Sequence, residues 1–440
     1  MISEKPMRLL VVFMALTIAF SASAAVSPSS IAQPVTQGNQ TAYPWPMFHN
    51  DPRHTGYTES PAPNTSNLLW NYTLTGAVGM ASAAVVDDKL FIQSEDNYVY
   101  CLNAITGAYV WKYKSDLSME YYHSVYHPIR ASPAVVDGKV YIGSIDDYVY
   151  CLNANTGEVI WRYKTGDDVV SSTTVAEGKV FIGAIDSNVY ALDADTGALI
   201  WNYKTEGAVC SSPAVADGKV FAGCWDPGNT LYCLDAGTGA LIWSYKVERP
   251  VPTNPAVVDG KVFFAVGGFP GWIYCLNEST GERLWYYETA LSVYSSPAVA
   301  YGKVFVGNIE GNVYALDENT GTSIWIYTTK GSVNSSPAIA DGKLYIGSYD
   351  QYIYCLNAIK GTLIWSYKTG DHVESSPAVA YGKLYVGSMD GHVYCFGGPP
   401  APPPPPLLPY GAYIINAIIV IVAIIFIGVY LYVRMRKKKT

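Results

Sequence analysis

The sequence has little charge and few of the residues that bind metals. Only 15% of its 440 residues are charged, and its six histidines and eight cysteines show no metal-site spacing. It contains no phosphate-binding loop and no nucleophile with an ordered base. These absences predict no catalytic residue and no metal ligand.

The sequence also lacks the basic surface that nucleic acids require. Its net charge is −8, although five of its cations stand together at the C-terminal end, between Arg434 and Lys439. The rest of the chain is therefore more acidic still and repels phosphate backbones. We expect no nucleic-acid partner.

Tyrosine and glycine are abundant instead, with 37 and 39 residues. They are typical of strands and tight turns. Because half of the residues are hydrophobic, the chain can also bury a large core. We expect an all-β body.

Both ends carry membrane-targeting patterns. Residues 1–25 contain Lys5 and Arg8, an apolar stretch and then small residues, which is typical of a signal peptide; an uncleaved anchor is the alternative. Residues 413–433 form an apolar stretch long enough to cross a bilayer core of about 30 Å as a transmembrane helix. The basic tail, 434–440, should stay in the cytoplasm. The pattern predicts a single-pass protein of the cell membrane with its body outside and its C-terminus cytoplasmic.

Two polar or proline-rich segments flank the body. Residues 26–44 are rich in Ser, Gln, Thr and Pro, and we expect a disordered lead-in. Residues 397–412 include the run Pro402 to Pro406, which favours a stiff, extended stalk.

The body, residues 45–396, repeats one unit. A turn lysine recurs at positions 89, 139, 179, 219, 261, 303, 343 and 383, which gives eight copies. Each copy holds four short strand signals, A to D, separated by turn residues. Four antiparallel strands form one blade of a β-propeller.

The ends of the repeat array predict how the propeller closes. Trp70 belongs to a D-type strand with no A, B or C strand before it, whereas the last copy ends at Phe396 without a D strand. Adding the first strand to the last blade leaves no free edge. The sequence therefore predicts an eight-bladed propeller closed within one blade.

A glycine and a tryptophan recur in the turn and strand that come after strand C, as at Gly197 and Trp201. This pattern resembles the tryptophan-docking motif of the PQQ-type, quinoprotein-like propeller family, and the segment from Trp45 to Pro52 is similar to the lead-in of such proteins. The resemblance implies that the tryptophans pack between blades, as their size also favours. They are Trp70, Trp111, Trp161, Trp201, Trp243, Trp285, Trp325 and Trp365.

The resemblance implies two classes of function. The family includes PQQ-dependent dehydrogenases and also cofactor-free propellers, such as the scaffold lipoprotein of the bacterial outer-membrane barrel-assembly machinery. This sequence lacks the vicinal cysteine pair of the dehydrogenases, and most of its repeats are too short for their insertions. We expect a scaffold or binding module for a protein, glycan or small ligand, without a cofactor. A PQQ- and calcium-dependent oxidoreductase is the alternative.

One column of the repeat varies while its neighbours hardly change. Three residues before the proline of strand A, the copies have Met80, Arg130, Val170, Cys210, Pro252, Tyr294, Asn334 and Glu374. We predict that Arg130, Tyr294, Asn334 and Glu374 line a ligand-binding channel mouth. Tolerance at an exposed strand end is the alternative.

The longest insertion lies around residues 116–128 and contains His123 and His127. Trp225 and Trp272 stand in lengthened turns that we expect nearby. Exposed aromatic groups on a loop suit sugar or protein contacts, although a plain surface loop is the alternative.

Two further patterns concern acids and cysteines. Seven of the eight turns between strands B and C carry an acid, such as Asp146, which either captures cations or caps its own turn. Six cysteines share one position on strand C and should be small, buried core residues. Cys224 and Cys233 are hypothesised to face each other in one hairpin and to form a disulfide.

Overall fold

The computed structural model describes residues 43–115 and 131–398. No helix within these two ranges is long and apolar enough to cross a membrane. The expected signal peptide, most of the lead-in and stalk, the transmembrane segment 413–433 and the tail 434–440 lie outside the described residues. So do His123, His127 and Arg130.

The described chain forms 33 strands that group into eight sheets. Each sheet corresponds to one predicted repeat. Two strands precede the first complete repeat, β1 (Tyr57–Thr58) and β2 (Leu68–Thr73). Blades 1 to 4 comprise β3 (Ala84–Val86), β4 (Lys89–Gln93), β5 (Tyr98–Asn103), β6 (Tyr109–Lys114); β7 (Ala134–Val136), β8 (Lys139–Gly143), β9 (Tyr148–Asn153), β10 (Val159–Lys164); β11 (Thr174–Ala176), β12 (Lys179–Ala184), β13 (Asn188–Asp193), β14 (Leu199–Lys204); and β15 (Ala214–Ala216), β16 (Lys219–Gly223), β17 (Thr230–Asp235), β18 (Leu241–Lys246). Blades 5 to 8 comprise β19 (Ala256–Val258), β20 (Lys261–Val266), β21 (Gly271–Asn277), β22 (Arg283–Thr289); β23 (Ala298–Ala300), β24 (Lys303–Gly307), β25 (Asn312–Asp317), β26 (Ser323–Thr328); β27 (Ala338–Ala340), β28 (Lys343–Gly347), β29 (Tyr352–Asn357), β30 (Leu363–Lys368); and β31 (Ala378–Ala380), β32 (Lys383–Gly387), β33 (His392–Gly397).

The four strands of each blade pair in an antiparallel order, and blade 8 is closed as predicted. Its order is β2-β33-β32-β31, so the N-terminal strand β2 supplies the fourth strand of the last blade. Trp70 on β2 pairs with Cys395 on β33. The eight-bladed propeller with complementary ends is therefore confirmed.

The tryptophans lie between neighbouring blades. In blades 1 to 6 and in β2, each indole Nε1 donates to a backbone carbonyl of the next blade, as Trp111 does to Ala154 at 3.1 Å. Each ring also lies on the glycine of the next C–D turn, where a Cβ at Gly157 would approach the Trp111 ring to 2.7 Å. This glycine has a φ of 75°, so the turn and the close packing both require it.

The same contact is made differently where blade 7 meets blade 8. Blade 8 has no C–D turn of its own, because its strands C and D come from opposite ends of the chain. The carbonyl of Pro63 takes the place of the turn and accepts bonds from Trp365 Nε1 at 3.4 Å and from Tyr345 Oη at 2.8 Å. The segment that leads into β2 thus completes the last interface between blades.

The segment from Tyr43 to Thr58 crosses the central channel. Trp45 exchanges two backbone hydrogen bonds with Val85 of blade 1, at 2.9 and 2.7 Å. Further backbone bonds reach the innermost strands or their turns in six other blades, at Val135, Val215, Val257, Val299, Ile339 and Tyr381. This segment therefore closes the channel rather than merely preceding the propeller, and it already includes Tyr43, which we expected in the lead-in.

Candidate functional site

A cavity of about 60 Å³ occupies the central channel. Every described member of the variable column lines it: Met80, Val170, Cys210, Pro252, Tyr294, Asn334 and Glu374. Phe48, from the segment that crosses the channel, lies among the lining residues too. The structure thus brings Tyr294, Asn334 and Glu374 together around one space.

A ring of hydrogen bonds surrounds this cavity. In each of seven blades, a backbone N–H donates to the side-chain oxygen of the equivalent residue in the next blade, over 2.5 to 3.0 Å. The residues are Ser82, Ser132, Ser172, Ser212, Asn254, Ser296, Ser336 and Ser376. At the closing interface, Ser82 Oγ instead donates to the Ser376 carbonyl at 2.9 Å.

The channel floor is built from an aromatic and two buried histidines. The Phe48 ring stacks on His49 at a centroid distance of 4.3 Å. His54 Nδ1 donates to the Pro255 carbonyl at 3.2 Å, and its Nε2 lies 3.1 Å from Thr174 Oγ1. Burial lowers the pKa of His49 to about 4; burial and then the nearby His49 lower the pKa of His54 to about 3. Both rings are therefore neutral at pH 7.

Glu374 and Asn334 both form hydrogen bonds with one tyrosine at the mouth. Tyr349 Oη donates to Glu374 Oε1, and Asn334 Nδ2 donates to Tyr349 Oη at 3.1 Å. The ring of Tyr349 stacks on His372 at 4.8 Å. Among the described residues, Asn334 Oδ1 is buried and has no hydrogen-bond partner. The mouth thus offers a carboxylate and an amide oxygen as hydrogen-bond acceptors.

The acids of the B–C turns form hydrogen bonds within their own turns. Asp146 Oδ1 accepts from the Tyr148 backbone N–H at 3.2 Å, and its Oδ2 accepts from Tyr150 Oη at 2.7 Å. The same pair of bonds recurs at Asp96, Asp186, Asp350 and Asp390. These five carboxylates cap turns, which favours the structural interpretation over a ring for capturing cations.

Three other acids meet near the mouth, between blades 2 and 3. Carboxylate oxygens of Asp147, Asp167 and Asp168 lie within 4.8 Å of one another. Burial, followed by repulsion from Asp167, raises the pKa of Asp168 to about 6. Beside Gly79, burial and then repulsion from Glu374 raise the pKa of Glu95. The mouth is therefore an acidic environment.

The two predicted tryptophans of the mouth do not line the cavity. Trp225 lies in the B–C turn of blade 4 and is half-buried. Trp272 lies on β21, pairs with Val266 and Glu288, and packs against the core between blades 4 and 5. Both side chains are partly exposed, so their contact with a sugar or protein stays a prediction.

The hypothesised disulfide is also corrected. Cys224 and Cys233 are both free and buried. Cys233 pairs with Phe221, three residues before Cys224. Because side chains alternate along a strand, an offset of three residues places the two thiols on opposite faces of the sheet. Cys224 accordingly packs toward blade 3, and Cys233 packs toward blade 5.

The described residues do not fit a PQQ–calcium pair. Ligand pockets usually offer roughly 300 Å³ or more, which is several times the volume of this cavity. The described lining also contains no cation that could bind the carboxylates of that cofactor. As described, the channel admits a group no larger than the end of a side chain.

The channel floor and the ring of hydrogen bonds around the cavity were not predicted from the sequence. Nothing in the repeat pattern marks Phe48, His49 or His54, since they occur once. The available signal was the pair Trp45 and Phe48 in a segment without strand periodicity, because such large apolar side chains need a core to cover them. The ring was signalled by the near-invariant serine before the proline of strand A.

Comparison with known families and structures agrees with this architecture. A family model described as outer membrane protein assembly factor BamB matches residues 114–224, 186–313 and 309–397. No curated protein sequence matches the chain.

Solved structures share the fold at low sequence identity. BamB from Moraxella catarrhalis is 20% identical over 76% of this chain and 99% of its own, with a TM-score of 0.63. A quinohemoprotein alcohol dehydrogenase from Comamonas testosteroni is 15% identical over 88% of this chain and 86% of its own, with a TM-score of 0.71. A europium-containing methanol dehydrogenase is 15% identical over 82% of this chain and 99% of its own, with a TM-score of 0.68.

Proposed function

This chain belongs to the BamB family of PQQ-type repeat propellers, and we propose that it is a membrane-anchored, extracytoplasmic binding or scaffold module. The channel mouth is its binding site. It takes a small group of a larger partner, either a protein or a glycan, and carries out no chemistry on it.

One observation carries the proposal. A column that varies while its neighbours hardly change lines one cavity, and that cavity is closed below by Phe48. A residue that recurs in every blade has a structural role that every blade needs. Residues that differ between blades but surround one cavity can instead be specialised for binding. Binding and catalytic residues commonly stand where a rigid scaffold leaves its loops and edges free.

The size and chemistry of the mouth limit which groups enter it. A cavity of about 60 Å³ excludes a drug-sized ligand but accepts a hydroxyl, amide or amino group at the end of a longer molecule. Glu374 and the buried Asn334 Oδ1 are acceptors, so the inserted group is a hydrogen-bond donor. The acids near the mouth also favour a neutral or positively charged group.

The sequence patterns at the two ends support the membrane location. The signal-peptide pattern at residues 1–25 directs export, and the apolar segment 413–433 with its basic tail anchors the chain with the propeller outside. In this arrangement the partner meets the propeller on the extracytoplasmic side.

Site-specific photo-crosslinking of the full-length protein in its native membrane tests the proposal. A benzophenone amino acid at Tyr294, which lines the cavity and is 40% exposed, should give a discrete adduct. The same probe at Tyr286, which is 53% exposed on the outer strand of blade 5, is the matched control and should not give that adduct.

Glu374→Gln should weaken the adduct at position 294, whereas Glu282→Gln on an exposed C–D turn should leave it unchanged. Equal labelling at positions 294 and 286, or an adduct that is indifferent to Glu374→Gln, would remove the mouth as the binding site. The oxidoreductase alternative has its own test. If adding PQQ with calcium raises the melting temperature of the full-length protein, the scaffold proposal gives way to it.

A further inference from the structure

The C–D turns of the propeller differ in charge from blade to blade. In blades 2 to 6 each turn carries at least one carboxylate, such as Glu158 in blade 2 and Asp195 in blade 3. The turns of blade 1 (103–110) and blade 7 (357–364) carry no carboxylate, and their only charged residue is Lys360. Segment 61–69, which replaces this turn in blade 8, has no charged residue. Blades 7, 8 and 1 are consecutive around the ring, and we call their C–D turns together with segment 61–69 the acid-free edge. The A–B turns beside it do carry carboxylates, at Asp87, Asp88 and Asp341.

Exposed isoleucines distinguish the same blades. At the third position of the turn, blade 1 has Ile105, which is 40% exposed, and blade 7 has Ile359, which is 47% exposed. Blades 2 to 6 have only polar residues or glycine there: Asn155, Asp195, Gly237, Ser279 and Asn319. Tyr109 and Leu363 are exposed next to these isoleucines, as the equivalent Val159, Leu199 and Leu241 are in blades 2 to 4. Among the described C–D turns, only these two carry a large apolar residue at the third position.

The chain leaves the propeller from the middle of this edge. Gly397 pairs with Lys383, which makes it equivalent to the first residue of the C–D turns in the other blades. Its N–H donates to the Asn67 carbonyl at 3.1 Å, and it lies against the side chain of Leu69. Beyond Gly398 the chain continues for 42 residues, including the apolar segment 413–433. The blades with Ile105 and Ile359 therefore flank the point where the anchor departs.

We propose that the acid-free edge lies against the outer surface of the membrane. This inference rests on the proposed membrane anchor. If the rim of the propeller meets the membrane where the anchor departs, the membrane contacts blade 8 and its two neighbours. Ile105 and Ile359 lie in those two neighbouring blades. Isoleucine and tyrosine side chains enter the headgroup region favourably. Within the C–D turns of this edge the only charge is that of Lys360, which is attracted to anionic lipids.

Two other coverings of the edge are distinguishable from a membrane. If the proline-rich segment covered this edge, it would lie over the isoleucine on one side of Gly397 and not over both. A second copy of the chain would bury both isoleucines, but without contact to lipid. The experiment therefore has to report lipid proximity at each isoleucine separately.

Fluorescence quenching by nitroxide lipids provides that measurement. The full-length protein is placed in phosphatidylcholine–phosphatidylglycerol nanodiscs, with a fluorophore on a cysteine introduced as Ile105→Cys or Ile359→Cys. Asn155→Cys and Asp195→Cys, at the same turn position in blades 2 and 3, are the matched controls. Seven native cysteines are buried, and the labelled wild type gives the background from the partly exposed Cys210.

We expect lipids with a nitroxide near the headgroup to quench both isoleucine positions severalfold more strongly than the two controls. Adding Lys360→Glu should weaken quenching at position 359. Equal quenching at all four positions overturns the inference and indicates that the stalk holds the propeller away from the bilayer. Quenching at only one isoleucine, or at neither with the label shielded from soluble quenchers, also overturns it, in favour of the stalk or a second copy.

Resistance to alkaline carbonate extraction separates this inference from the proposal on which it rests. If carbonate releases the full-length protein from membranes, the anchor itself is wrong and both proposals fail. If the protein resists extraction while the four positions are quenched equally, only the membrane contact of the acid-free edge fails.

Discussion

The indole of Trp70 lies directly on the backbone of Gly107, where a Cβ would come within 2.7 Å of the ring. Trp70 belongs to the N-terminal strand β2, which closes blade 8, and Gly107 belongs to the C–D turn of blade 1. This contact therefore joins the closed blade to its neighbour. It has the same form as the contacts between the other blades. The interface between blade 8 and blade 1 is therefore packed like the others.

The first prediction concerns this glycine. Gly107→Ala should destabilise the propeller more than Gly138→Ala. Both glycines have positive φ, at 75° and 71°, so each alanine suffers left-handed strain of about 1 kcal/mol. Only Gly107 also faces a ring, and overpacking typically adds about 1–3 kcal/mol. Nothing lies within 4 Å of a Cβ at Gly138. Denaturant unfolding of the two variants measures the difference, and equal losses would mean that the tryptophan contact is not tight.

The second prediction concerns the ring around the channel. Ser212→Ala removes the acceptor for the buried Ser172 N–H, which lies 2.9 Å from Ser212 Oγ. An unsatisfied buried donor costs about 1–3 kcal/mol, so the free energy of unfolding should fall by that amount. Ser212→Thr keeps the oxygen and is the control. If the two variants were equally stable, the ring would not contribute to stability.

The repeat made most of the fold predictable, because each blade meets the same packing problem. Trp70 and the missing D strand after Phe396 were enough to specify how the ring closes. The channel floor was not predictable in this way. Phe48 and His54 occur once, and their positions depend on backbone bonds to innermost strands that are distant in sequence.

Part of the candidate site was predictable for the same reason. Tyr294, Asn334 and Glu374 were found because they depart from the repeat at one equivalent position. Trp225 and Trp272 also depart from it, but neither lines the cavity. The error over Cys224 and Cys233 came from treating nearness in a hairpin as contact, whereas the strand period places them on opposite faces.

The third prediction concerns an ion pair between blades 4 and 5. Lys219 Nζ lies 3.0 Å from Glu278 Oε1, and the Glu278 side chain is only 4% exposed. Lys219→Met should lower the free energy of unfolding by about 3 kcal/mol, because it leaves a buried carboxylate without its cation. Adding Glu278→Gln should restore part of the loss.

The pair Lys246–Glu206 provides the control for this prediction. Its N–O distance is 3.2 Å, but both side chains are about two-thirds exposed, at 66% and 65%. Lys246→Met should therefore change stability by less than about 1 kcal/mol. Thermal melts of the single and double variants give the comparison. Similar losses for the buried and exposed pairs would show that burial does not decide the strength of the pair.

The last prediction concerns pH and the channel floor. Burial lowers the pKa of His49 to about 4 and that of His54 to about 3. In the unfolded chain a histidine has a pKa near 6.5, so at pH 5 the unfolded state binds protons that the folded state does not. Stability from these residues is therefore complete above about pH 6.5 and is lost as pH falls toward 4. Each histidine should cost about 2 kcal/mol between pH 7 and pH 5. His49→Phe, which keeps the stacking on Phe48, should remove one histidine's share of this pH dependence even if it changes the stability at pH 7. Denaturant unfolding at pH 7, 6 and 5 measures both slopes, and an unchanged slope in the variant would show that His49 is not buried as a neutral ring.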